Sequence, residues 1–202
     1  MNNITITQQD LASLTEEVSA TIKEGDLIFI AIDSFLYRQV AKGTGSWTSH
    51  VGLIIKEDNE WYVLESAVPR VTRCPLKKFL GRSKDNHVCI RRLKHDLSDE
   101  QVKQLKTTAE HYRGVWYDLG FNFDAKRQFC SKFVYTLFNK VCNVEIGKVQ
   151  TLEALLEENP QANQRFWRVW YFGFIPWKRR TVTPASQLKD TQLTTIYSNV
   201  FH

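Results

Sequence analysis

The sequence predicts an α+β domain. An amphipathic helix opens the chain, short β-rich segments with hairpin spacing follow it, and the later periodic segments are helical. Strands grouped together favour a mostly antiparallel sheet packed against helices over a doubly wound parallel sheet. No linker-like stretch divides the chain, so residues 1–202 read as a single domain. Within it we expect an N-terminal helix over about residues 8–23 and an aromatic-rich C-terminal extension over about 160–202.

Taken in order, Leu11, Leu14, Val18 and Ile22 recur at helical spacing, and Gly25 closes that pattern. A Gly-Asp turn then leads into LIFIAI, an apolar run of strand length. KGTGSWTS, Lys42 to Ser49, reads as a flexible loop. HVGLII and WYVLESA read as two further strands, joined by the polar hairpin segment EDNE. Cys74 precedes Pro75 in what reads as a loop, and VCIRRL at 88–93 as a fourth strand with Cys89 inside it. Ser98 to Gln101, S-D-E-Q, is a capping box for a helix reaching about Tyr112. Gly114 to Lys126 is an aromatic-rich connection. In CSKFVYTLFNKVC, Cys130, Phe133, Val134, Leu137, Phe138 and Val141 share one helical face. A short helix follows Thr151 and stops before Pro160, and Thr183-Pro184 gives an N-cap and a proline at N1 of a last turn.

Composition excludes several classes. The chain is 43% apolar and 24% charged, a globular rather than a disordered balance. Its net charge of +5 is mild. The basic pairs Lys77-Lys78, Arg91-Arg92 and Arg179-Arg180 are scattered and read as solvated surface, so nucleic acid is not an expected partner. Consecutive strand residues Arg91 and Arg92 should face opposite sides. The four cysteines form no CxxC pair and the five histidines no HExxH helix, so no metal and no cofactor are expected. Residues 1–10 show neither a basic region nor an apolar core of a secretory signal, which gives the expectation of a cytoplasmic, reduced protein. Leu27 to Ile32 is too short an apolar stretch to span a bilayer.

In a reduced protein a cysteine is either filler or a reactive thiol. Cys130 falls in the first turn of its helix, where free N–H groups and the dipole favour a thiolate and can hold an oxyanion. His50 enters an apolar strand, and Glu65 ends the next one. If those strands form a hairpin, the two are neighbours across it, and Glu65 can accept the second ring N–H of His50. Cysteine, histidine and carboxylate together make a nucleophilic triad. The alternatives are that Cys130 is apolar filler, that His50 caps a strand and that Glu65 is an exposed hairpin charge. Cys74, Cys89 and Cys142 read as structural. His87, His95 and His111 read as surface residues, and His202 is terminal.

These residues resemble a known family. GDLIFI followed by SHVGLII is similar to the paired strand motif of the NlpC-type papain-like hydrolases. There the cysteine helix precedes the strands, whereas here CSKFV follows them, an order that resembles the circularly permuted YiiX/YebB-like branch. WYVLES, the Gly114-Tyr117-Asp118 pattern in GVWYDLGFNF, FCSKFV and the tail FGFIPWKRRTVTPASQL add to the likeness, the tail to YebB-like members in particular. The resemblance covers roughly Gly25 to Leu188. It implies a permuted papain-like fold and hydrolysis or acyl transfer through a thioester, with no cofactor. Cys130 would be the nucleophile, His50 the base and then the acid, and Glu65 the orienting group. The Cys130 N–H would form part of the oxyanion hole, with Tyr117 as the candidate second donor and Ser131 as a further candidate oxyanion or substrate-binding residue. Tyr117 reads equally well as a buried aromatic packing its loop. Many members carry an acidic residue where this chain has Lys132. That side chain should point off the triad and alter the charge of the cleft rather than the chemistry.

Three functions follow. The first is a cysteine amidase or peptidase acting on a small amide, peptide or acyl substrate. The second is an acyl hydrolase or acyltransferase working on lipids, because permuted papain-like folds are linked to such chemistry. The seven aromatics within residues 166–177, followed by Lys178, Arg179 and Arg180, would suit weak contact with a membrane surface. Packing against the core or the cleft is the alternative for those aromatics. The third is a non-catalytic ligand-binding domain.

Overall fold

LIFIAI is apolar at every position because both faces of its strand are covered. In the computed structural model, which describes residues 10–200, this strand is β1 (Leu27–Ile32). Leu27 and Phe29 face one core, and Ile28 and Ile30 face another. The helix before it, α1 (Leu11–Thr21), is capped by the Asp10 carboxylate and buries Leu14 and Val18. Residues 8 and 9 of the expected helix lie outside the described residues.

After β1 comes α2 (Phe35–Gly43), then β2 (His50–Glu57), β3 (Glu60–Ser66), β4 (Val71–Pro75), α3 (Leu76–Leu80), β5 (Ser83–Leu93) and α4 (Asp99–Glu110). The capping box of Ser98 and Gln101 opens α4 as expected. The chain continues through α5 (Cys130–Cys142), β6 (Gln150–Thr151), α6 (Leu152–Glu158), α7 (Gln164–Trp170), β7 (Arg180–Thr181), α8 (Pro184–Leu188) and β8 (Leu193–Ser198). Thr183 and Ser186 form a second capping box around Pro184.

The main sheet has the order β4-β3-β2-β1-β5-β8, and each neighbouring pair in it is antiparallel. The architecture is therefore α+β, as predicted. Helices α4 and α5 cover one face through Leu105, Phe133, Val134, Leu137 and Phe138. Helices α1 and α3 cover the other through Leu14, Val18, Leu76, Phe79 and Leu80. Burying each such side chain contributes about 1.5–3 kcal/mol before chain entropy is counted. No described helix is long and apolar enough to cross a membrane.

Several expectations are corrected. KGTGSWTS is not wholly a loop, because Lys42 and Gly43 end α2, and the segment before His50 is pinned rather than free. There Thr48 Oγ1 donates to the Ile30 carbonyl at 2.9 Å, and Ser49 Oγ accepts the Ile32 N–H at 3.0 Å. Cys74 lies in β4, not in a loop, since its partner Val63 draws it into the sheet. Arg91 and Arg92 do face apart, but neither is merely solvated. Arg92 pairs with the buried Asp26 at 2.7 Å, and Arg91 donates to the carbonyls of Leu188, Asp190 and Leu193. The aromatics of the C-terminal segment divide. Trp167 is buried, and Phe166, Trp170, Tyr171 and Trp177 pack with the leucines of α6, while Phe172 and Phe174 are exposed.

Candidate active site

The hairpin of β2 and β3 turns at Asp58-Asn59, both with positive φ, and pairs Leu53 with Leu64. Continuing that register sets Gly52 opposite Glu65, with His50 one same-face position further along. The two functional side chains are thus diagonal neighbours on the face that α1 and α3 cover. Gly52 is needed there, because a Cβ would lie 2.3 Å from Val63 Cγ1 and 3.1 Å from the Leu64 carbonyl oxygen. His50 and Glu65 are fully buried, and His50 Nε2 lies 2.5 Å from Glu65 Oε2.

The imidazole is boxed in. Phe79 lies against it at a centroid distance of 5.7 Å, and Tyr37 meets it edge-on at 5.6 Å. Nδ1 is buried and has no aligned hydrogen-bond partner. The Cys130 sulfur is beside the ring, and its interaction is the largest influence opposing burial. Burial alone would lower the His50 pKa. Hydrogen bonding and charge from Cys130 and Glu65 outweigh it and raise the value to about 9. For Glu65, burial pushes upward, but His50 and then Arg82 hold the carboxyl below its ordinary range.

Cys130 is the first residue of α5, and the N-cap, Phe129, has no side-chain oxygen to offer. The first-turn N–H groups therefore lack a side-chain cap and remain available to an anion. Tyr117 is held beside the thiol by its own backbone. Its N–H donates to the Pro69 carbonyl, and the next residue, Asp118, donates its N–H to Gln128. The Asp118 carboxylate shapes the loop by accepting the N–H groups of Gly120 and Asn122. Burial, then the charge and hydrogen bonding of Cys130 and Tyr37, raise the Tyr117 pKa, so its hydroxyl keeps its proton.

Ser131 is buried in the first turn of α5, next to Cys130. Its hydroxyl donates to the Val182 carbonyl at 2.8 Å, and its own carbonyl accepts from Gln187, so it ties α5 to the C-terminal segment. Lys132 does point off the triad. Its ammonium bonds the carbonyls of Ala125 and Arg127. Cys74, Cys89 and Cys142 are free, and burial raises the pKa of each. His95 and His111 are exposed and His87 is half-buried, while His202 lies outside the described residues.

Two residues of the site went unread in the sequence. Arg82 Nη2 lies 2.7 and 2.8 Å from the two Glu65 oxygens, and its guanidinium stacks over Phe79 at 4.9 Å. Tyr37, from α2, reaches both His50 and Tyr117. No local pattern marks either one. Arginines are mostly surface residues, and α2 has few buried positions to reveal its periodicity.

A small cavity of about 50 Å³ opens beside Cys130, and Tyr117, Phe121, Leu156 and Trp167 are among the residues of its wall. Among the described residues, no group of three or more His, Cys, Asp or Glu is placed to hold a metal ion.

An antiparallel sheet whose histidine and carboxylate strands come before the cysteine helix defines the class of circularly permuted papain-like proteins. The chain belongs to the permuted papain-like amidase family YaeF/YiiX, C92, whose model matches residues 21–197. It is 29% identical over 172 residues to the uncharacterized protein YiiX of Escherichia coli strain K12, covering 85% of this chain and 84% of that one. It is also similar to the crystal structure of yiiX from Escherichia coli O157:H7, described as a metalloprotein. That likeness has a TM-score of 0.82 and 30% identity, and covers 89% of this chain and 98% of the other. The family is one of cysteine hydrolases of amidase or peptidase type.

Proposed function

We propose that the chain is a cysteine amidase that uses Cys130, His50 and Glu65 as a triad and passes through a thioester. The observation that supports this is a buried imidazole with one nitrogen on a carboxylate and the other left for a thiol at a helix N-terminus. Cys130 Sγ attacks the substrate carbonyl carbon and forms an S–C bond, and the carbonyl electron pair moves to oxygen. The Cys130 N–H and the Tyr117 hydroxyl stabilise that oxyanion. Collapse breaks the C–N bond, and the proton held at His50 Nδ1 leaves with the amine. Water then loses a proton to Nδ1 as its oxygen adds to the thioester carbon. The C–S bond breaks, releasing a carboxylic acid and regenerating the thiol and imidazole pair. Glu65 holds the ring throughout. The loose Nδ1 contact tightens when substrate arrives.

The similar yiiX is described as a metalloprotein, and no step above uses a metal. The test is mass spectrometry of the intact protein after exposure to cell extract. A mass increment on Cys130, absent from Cys130→Ala, is expected. An unmodified Cys130 with no amide turnover contradicts the reading.

A second reading, in which the same chemistry takes place at an anionic membrane surface, is favoured by Phe172 and Phe174. They are 99% and 70% exposed, beside Arg165 and Arg179 at the surface of α7 and the turn after it. Co-sedimentation with anionic vesicles at low salt, lost in Phe172→Asp, would support it. No sedimentation of the wild type would contradict it.

A further inference from the structure

Five cations that lie far apart in the sequence meet around one groove. Helix α2 supplies Arg38 and Lys42, one turn apart on the same face. Strand β5 supplies Lys84 and Arg91, and Lys189 follows α8. Among the described residues that line the groove there is no Asp or Glu. It holds about 1,320 Å³ at the β5–β8 end of the sheet, where Cys89 pairs with Ser198 and Arg91 with Thr195. Lys42, Lys84 and Lys189 are exposed and have no ion-pair partner among the described residues.

The arrangement selects among anions. A compact phosphate calls for a cradle of backbone N–H groups or a free bidentate guanidinium. Here Arg38 is held by Asp33 at 2.6 Å, and Arg91 donates to the carbonyls of Leu188, Asp190 and Leu193, so both forks are taken. What remains is three lysines, separate point charges on different sides of the groove. Pockets for small molecules run to roughly 300–1,000 Å³, and this groove is larger. Single charges spread along it match carboxylates spaced along a chain. Between the cations lie Ile32, Trp47 and Leu188, which suit apolar side chains. Nucleic-acid bases would need open rings to stack on, and the rings here, Tyr37 and Trp47, already pack against His50 and His87.

We propose that this groove is a docking site for an extended acidic peptide, whose carboxylates meet Lys42, Lys84 and Lys189. Cys130 is not in its wall, so the docking site stands independently of the nucleophile.

The experiment measures the fluorescence anisotropy of rhodamine-labelled peptides mixed with the full chain, with Cys130→Ala to prevent turnover. At low salt a short peptide of alternating glutamate and valine should bind about tenfold or more tighter than the same peptide with glutamine for glutamate, and the advantage should shrink as salt rises. Lys84→Glu combined with Lys189→Glu should weaken the glutamate peptide about tenfold or more. Lys77→Glu combined with Lys78→Glu makes the same change of net charge on α3, which covers the opposite face of the sheet, and should leave binding unchanged. Thermal unfolding reports whether each variant is folded, and the comparison of the two peptides does not depend on those variants. Equal affinity for the two peptides, or an equal loss in both double variants, overturns the docking site. A single-stranded oligothymidylate that binds more tightly than the glutamate peptide, and is weakened by the groove variants, overturns it in favour of nucleic acid.

Discussion

Arg82 grips Glu65 by both oxygens, at 2.7 and 2.8 Å, so the carboxylate that orients His50 is itself held in place. Arg82 therefore acts as a positioning residue through Glu65. Arg82→Met should reduce Cys130 acylation about tenfold, as expected for loss of a charge-assisted hydrogen bond. It also removes one influence that lowers the Glu65 pKa, so the acid limb of the rate–pH profile should move to higher pH. Arg82→Lys, which keeps the charge, should restore part of both. A rate loss with an unmoved acid limb would indicate a structural effect only.

The His50–Glu65 pair should write itself into stability against pH. His50 has its pKa raised from 6.5 to about 9, so its contribution is complete below 6.5 and is lost as pH rises through 9. Glu65 has a lowered pKa, so its contribution is present above its ordinary 4.5 and is lost as pH falls below that value. Thermal unfolding should give a maximum between these limits. The fall on the alkaline side should be shallower in His50→Gln, and equal slopes would contradict the raised value.

Gly52→Ala should destabilise the hairpin by about 1–3 kcal/mol, because the new methyl group overlaps Val63 and the Leu64 backbone. Chemical denaturation of the purified variant checks this. A neutral result would mean that β2 and β3 do not pack as closely as the register requires.

Ser131 and Tyr117 should separate cleanly. Ser131→Ala removes a bond to the Val182 carbonyl and should lower stability by about 1–2 kcal/mol while thioester turnover persists. Tyr117→Phe should lower turnover by about a hundredfold with a smaller change in melting temperature. The reverse pattern would move the oxyanion role from Tyr117 to Ser131.

The legible parts of this fold are those where local pattern and tertiary burial agree. The face of α5 was readable because Cys130, Phe133, Val134, Leu137 and Phe138 all enter the core. The hairpin was readable from the polar turn between two apolar runs, and it carried His50 and Glu65 with it. By contrast, β8 reads LTTIYS at the sheet edge and buries only Leu193, so its pattern is faint. β4 contains Pro75 and runs directly into α3, which masks it as a loop. Arg82 could not be found by spacing, since its contact with Glu65 spans 17 residues and depends on how α3 folds over the sheet.

The central claim, that His50 activates Cys130, is tested most directly by the rate of iodoacetamide labelling across pH, read residue by residue. Cys130 should label faster than Cys74, Cys89 and Cys142. His50→Ala should slow it about tenfold or more. Labelling of Cys130 at the rate of an ordinary thiol, unchanged in His50→Ala, would contradict the account.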